Sequence, residues 1–102
     1  MIIYNTTINV NDNIVDKFIN WIKQEYIPKI IDTKLFIDVN LFKVLIEEEM
    51  GGITFSLQHS MKRMDDYNEF NEKYFSKFDK MFHDKFTNNY VSFSSFLQKV
   101  EL

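Results

Sequence analysis

Lys43 to Gln58, KVLIEEEMGGITFSLQ, holds an apolar run, three glutamates, a glycine pair and a second apolar run. Gly51 and Gly52 can take the positive φ values that a tight turn demands, so the stretch reads as two strands joined in a hairpin. The arms extend outward as Leu35 to Glu47 and Gly52 to Ser60, the first long enough to hold a bulge. Glu47, Glu48 and Glu49 diverge at successive strand positions and lack the ligand spacing of a calcium loop, so they read as a solvated hairpin tip. The glycine pair has neither the longer pattern nor the lysine of a phosphate loop.

A strand precedes the hairpin and another ends the chain, each across a helix. Ile2 to Val10 alternates Ile2, Tyr4, Ile8 and Val10 against Asn5, Thr7 and Asn9, the period of a half-buried strand. Asn11 or Asp12 can cap a first helix over Asp12 to Tyr26, with Ile14, Phe18, Trp21 and Ile22 on one stripe. Pro28 has no amide hydrogen and predicts an end or kink near Tyr26 and Ile27. Asp65 to His83 sets Tyr67, Phe70, Tyr74, Phe78, Met81 and Phe82 against a charged side and reads as the second helix. Asn88 and Asn89 turn the chain into a last strand, Tyr90 to Val100. The βαββαβ order is that of an α+β ferredoxin-like sandwich, a four-stranded antiparallel sheet with two helices on one face.

With 102 residues, 45% of them hydrophobic and eleven of them Phe, the chain fits one folded domain, residues 1–102. A net charge of -3 and the lack of cysteine disfavour nucleic acid, anionic membrane and thiol chemistry. The opening residues have no signal-peptide pattern and no run approaches a membrane span, so a cytoplasmic protein is expected.

The sheet face opposite the helices is then left bare. Alternate positions assign it Asn5, Thr7 and Asn9, then Asp38 and Asn40, Thr54, Ser56 and Gln58, and Ser92, Ser94 and Gln98, with Phe36, Phe42, Tyr90 and Phe96 in phase. Hydroxyls, amides and rings with few charges suit an association surface, so a homodimer is expected through Asn5, Thr7, Thr54, Ser56, Ser92 and Ser94. His59 and His83 each lack a second histidine at metal spacing, and neither a metal nor a cofactor is expected. Trp21, Tyr26 and Pro28 form the cluster suited to a cleft for a small aromatic or hydrophobic ligand, with His59 at its edge.

Four segments carry a family resemblance: MIIYNTT at the start, WIKQEYIPKIIDTKLF from Trp21, KVLIEEEMGGITFSLQ, and KFTNNYVSFSSFLQKVEL from Lys85. They resemble the family catalogued as domain of unknown function 4286, placed near the dimeric α/β-barrel group. Tyr26 stands where that pattern has a histidine, and Thr33-Lys34 where it has a Thr-Gly pair, which suggests a less tight turn. The resemblance implies a ferredoxin-like fold and a face-to-face dimer, and no activity that can be transferred. The expected function is therefore a non-enzymatic binding or assembly module. The alternative is a cofactor-independent barrel enzyme, an oxygenase or isomerase, acting near Trp21, Tyr26 and His59. An RNA-recognition reading of the same strand order fails on the acidic charge and on Thr54, Ser56 and Gln58 where outward rings are needed.

Overall fold

The computed structural model describes residues 1–46, 49 and 51–102. The strands are β1 (Ile2–Val10), β2 (Asp38–Lys43), β3 (Ile53–Met61) and β4 (Tyr90–Gln98), in the order β2-β3-β1-β4 with every neighbour antiparallel. This is an α+β fold with the expected antiparallel sheet, and its strand order is consistent with a ferredoxin-like class. The first arm of the hairpin is shorter than expected, beginning at Asp38, and residues 44–52 join the two strands. No bulge interrupts the described pairing of β2 with β3, which runs in one register from Asp38↔Ser60 to Lys43↔Phe55. Glu47 and Glu48, read as part of the hairpin tip, lie outside the described residues; Glu49 is exposed.

Gly51 and Gly52 have φ of 79° and 80°, the left-handed values inferred from the pair. Their surroundings differ. A Cβ on Gly52 would lie 2.6 Å from Asn9 Oδ1 and 2.8 Å from the Val10 carbonyl, whereas nothing stands within 4 Å of one on Gly51. Gly52 is thus required both by its turn and by the close passage of β1.

The first helical region does not stop before Pro28. A 3-10 turn at Asp12–Ile14 leads into α1 (Val15–Trp21), then a π-helical turn over Ile22–Tyr26, then α2 (Ile27–Asp32). Proline at this position would clash with the carbonyl one α-turn earlier and cannot donate to it; widening that turn accommodates both demands while the chain stays helical. Phe18, Ile22, Tyr26 and Ile30 are all buried, so the wider turn keeps one stripe facing inward. The second helical region is divided at Tyr74 (φ -128°, ψ -24°) into α3 (Met64–Lys73) and α4 (Phe75–Phe86). Lys34 has φ 66°, so a lysine adopts the left-handed conformation usual for glycine after a helix, and the turn is as tight as a glycine would make it.

Helical side chains meet the sheet on the face carrying Tyr4, Ile8 and Val10. The Phe18 ring lies 5.1 Å from Phe55, Phe70 lies 6.4 Å from Tyr4, and Tyr26 lies 5.9 Å from His59. Phe70, Phe78, Phe82 and Phe86 of α3 and α4 are buried in the same core. Ring pairs at these separations contribute about 0.5–1.5 kcal/mol each beyond the area they remove from water.

Register fixes which side chains share a face, because directly opposed residues of an antiparallel pair point the same way. Ile8 opposes Ser92, Thr6 opposes Ser94 and Tyr4 opposes Phe96. Ser92 and Ser94 therefore stand on the helix side, which corrects their expected place on the bare face. Tyr90, Phe96 and Gln98 move with them. Phe36 is likewise a helix-side residue, buried with its ring 5.1 Å from Phe70. The bare face of β4 holds Val91, Phe93, Ser95 and Leu97, opposite Asn9, Thr7, Asn5 and Ile3.

Candidate functional site

Two surfaces emerge, one on each side of the sheet. On the bare side, Asn5 lies at the centre of a hydrogen-bonded group. Ser56 donates to Asn5 Oδ1 at 2.5 Å, and the Asn5 amide donates to Thr7 at 3.2 Å and to Ser95 at 3.4 Å. Gln58 donates to Ser56 at 3.2 Å, and the Asn9 amide reaches Thr54 at 3.1 Å. These bonds lower the cost of covering the polar centre, since the groups already have partners. Beside it stand exposed apolar side chains: Phe42 on β2, and Val91 and Phe93 on β4, the last two 70% and 67% exposed. The expected face is thus kept at Asn5, Thr7, Thr54 and Ser56, and its β4 share passes from Ser92 and Ser94 to Val91, Phe93, Ser95 and Leu97.

On the helix side, β3 places His59 fully inside the core and the π-helical turn places Tyr26 against it. Tyr26 Oη lies 2.8 Å from His59 Nε2, and His59 Nδ1 lies 3.0 Å from the Tyr4 carbonyl. A carbonyl only accepts, so Nδ1 carries the proton and donates to it, Nε2 accepts, and Tyr26 donates to Nε2. Burial lowers the His59 pKa to about 4, against a smaller opposing effect of the Tyr4 carbonyl bond, and the ring is neutral near pH 7. Burial, then the neighbouring Tyr4, pushes the Tyr26 phenol far above its usual value. The pair is a satisfied core hydrogen bond and neither group changes charge near neutrality.

Trp21 is adjacent to Tyr26, ring centroids 5.8 Å apart, but packs edge-on to Phe82 and Phe86 at 5.4 and 5.3 Å. The expected cleft bordered by Trp21, Tyr26 and His59 is corrected by this packing: Trp21 caps the core on one side of Tyr26, and His59 is sealed beneath it. A cleft of about 170 Å³ opens between β1, β4 and α4, with Tyr26 but neither Trp21 nor His59 in its lining. Its walls include Tyr4, Phe75, Phe78, Phe82 and Tyr90, and its floor Thr6, Ser92 and Ser94. Ser94 donates to Tyr4 Oη at 3.3 Å and lies 3.2 Å from Thr6 Oγ1. Small side chains on β4 leave the space; the helix layer does not reach over them. Asp79 stands among the lining residues, and burial followed by its carboxylate holds the Tyr90 phenol above the usual value. Sequence reasoning missed this cleft because it set Ser92 and Ser94 on the opposite face.

Among the described residues no group of three or more His, Cys, Asp or Glu could hold a metal ion, and no helix is long and apolar enough to cross a membrane.

The sheet with its helix layer and these two surfaces define a small α+β protein. Over residues 1–100 the chain matches the family described as Domain of unknown function (DUF4286), and it belongs to that family. No curated protein and no solved structure matches the chain.

Proposed function

We propose that this protein is a ferredoxin-like, homodimeric binding or assembly module whose two copies meet through the bare sheet face. What supports the fold reading is the strand order with antiparallel neighbours throughout. The observation that carries the dimer is the bare face itself: an internally hydrogen-bonded, uncharged centre around Asn5, flanked by exposed Phe42, Val91, Phe93 and Leu97. Strands spaced about 4.8 Å apart and rising about 3.3 Å per residue make this face at most about 19 by 30 Å, roughly 570 Å² in projection, which is below but of the same order as the ~800 Å² that each partner gives to an ordinary interface. A two-fold contact would bury the rings on its copy and leave the satisfied amides little to lose.

The alternative of a cofactor-independent enzyme draws on Tyr26, which lines the cleft. Its proton is committed to a neutral, fully enclosed His59, which gives a general acid or base little to work with near neutral pH. Light scattering over a micromolar concentration series tests the dimer. Twice the 12.4 kDa chain mass is expected for the native protein, and Phe93→Asp should bring it to a single chain while Ser92→Asp on the helix side leaves the dimer. A native monomer at tens of micromolar sinks the proposal.

A further inference from the structure

The cleft between β1, β4 and α4 is built of aromatic walls, a row of hydroxyls and one carboxylate. From this we infer that it binds a small one-ring amine, its ring between the Tyr4, Phe78 and Phe82 side chains and its ammonium toward Asp79.

Size sets the first limit. The cleft holds about 170 Å³, and an apolar cavity of about 150 Å³ takes up benzene, so one ring with a short arm fills it. Charge sets the second. No lysine, arginine or histidine lines the cleft, while Asp79 does, and among the described residues Asp79 makes no ion pair. A carboxylate or phosphate ligand would meet only that like charge, whereas an ammonium gains from the carboxylate and from the negative faces of the rings. Lys77 Nζ already lies 5.8 Å from the Phe78 ring centroid, but its side chain is not part of the lining.

The hydroxyl row gives the third limit. Ser94 donates to Tyr4 Oη, so the Tyr4 proton is directed elsewhere and can serve an acceptor on the ligand's ring or arm. Ser94 in turn accepts from Thr6, which lines the row up in one direction. These hydroxyls occupy helix-side positions of β1 and β4, where the rest of the sheet carries Ile8, Val10, Leu57 and Met61. Polar side chains here open a space that Val or Leu would close.

The test uses the full chain and three probes of one size: phenethylamine, 2-phenylethanol and phenylacetate, followed by amide chemical shifts and calorimetry. Phenethylamine should shift Thr6, Ser92, Ser94 and Asp79 and bind at least about tenfold tighter than phenylacetate, with the alcohol between. Asp79→Asn should reduce the amine's affinity to that of the alcohol. Ser94→Leu should abolish binding of all three, with Ser92→Val as the milder filling change if the first variant loses its melting transition. Phenylacetate binding as tightly as the amine, absence of shifts in these residues at low-millimolar phenethylamine, or unaltered binding in the filled variants would each overturn the inference. The cleft floor and the bare face are on opposite sides of the sheet, so failure here leaves the dimer reading intact, and shifts confined to Asn5, Thr7 and Val91, none of which lines the cleft, would count against the cleft alone.

Discussion

β3 and β4 each pair with β1 along its whole length, yet they end in opposite environments. Of β3, Phe55, Leu57, His59 and Met61 are buried under the helices; β4 is exposed along nearly its entire run on both sides. Ladder hydrogen bonds therefore fix where a strand lies without covering its side chains. Covering comes from the second layer, and that layer leans toward β3. The two surfaces that suggest binding, the apolar row of Val91, Phe93 and Leu97 and the serine-floored cleft, are the two faces of the strand the helices leave open.

The sharpest way to break this contrast is to truncate one ring on each strand. Phe55→Ala should lower stability by about 3–5 kcal/mol, because a ring packed 5.1 Å from Phe18 leaves a cavity in the core. Phe93→Ala should change the stability of the single chain by less than about 0.5 kcal/mol, read by denaturant melts at low concentration. Equal losses at the two sites would show that β4 is held by side-chain packing after all.

Acid sharpens the same contrast through His59. Its pKa is about 6.5 in the unfolded chain and about 4 when folded, so between those values the unfolded state takes up a proton that the folded state refuses. Stability is complete above pH 6.5 and falls as pH drops through this window, by about 3 kcal/mol at its lower end. His59→Gln should flatten that slope in pH-dependent melts. A slope unchanged in the variant would assign the loss to other groups.

Turn chemistry carries smaller effects. Gly52→Ala should cost about 2 kcal/mol, since it combines a left-handed φ with a contact 2.6 Å from Asn9, and Gly51→Ala should cost less because its surroundings are open. Lys34→Gly should raise stability by up to about 1 kcal/mol by relieving its positive φ, less the entropy glycine adds to the unfolded chain. Thermal melts of these variants, ranked against the ring truncations, check the order.

β1 was legible in the sequence because Tyr4, Ile8 and Val10 alternate cleanly with Asn5, Thr7 and Asn9. β3 was legible for the same reason, His59 included. β4 was legible as a strand starting at Tyr90, but its phase was not: Tyr90, Phe93 and Phe96 fall in both phases, so serine alone suggested which side was wet, and only pairing with β1 shows that Ser92 and Ser94 face the helices. Helix existence followed from the spacing of rings, but periodicity could not show that Pro28 would be absorbed by a π-helical turn instead of ending the helix. The break at Tyr74 has no sequence signal that we can identify. Of the candidate site residues, the nearness of Trp21 to Tyr26 could be read from helical spacing, while the Tyr26–His59 bond joins segments 33 residues apart and needed the sheet register to appear.

The proposed dimer stands or falls on the bare sheet face being its interface. An isotope-filtered NMR experiment on a mixture of labelled and unlabelled chains reads it directly. Contacts between copies are expected from Phe42, Val91 and Phe93, and none from α4. Contacts between copies that run through α3 and α4, with Phe93 silent, would contradict it.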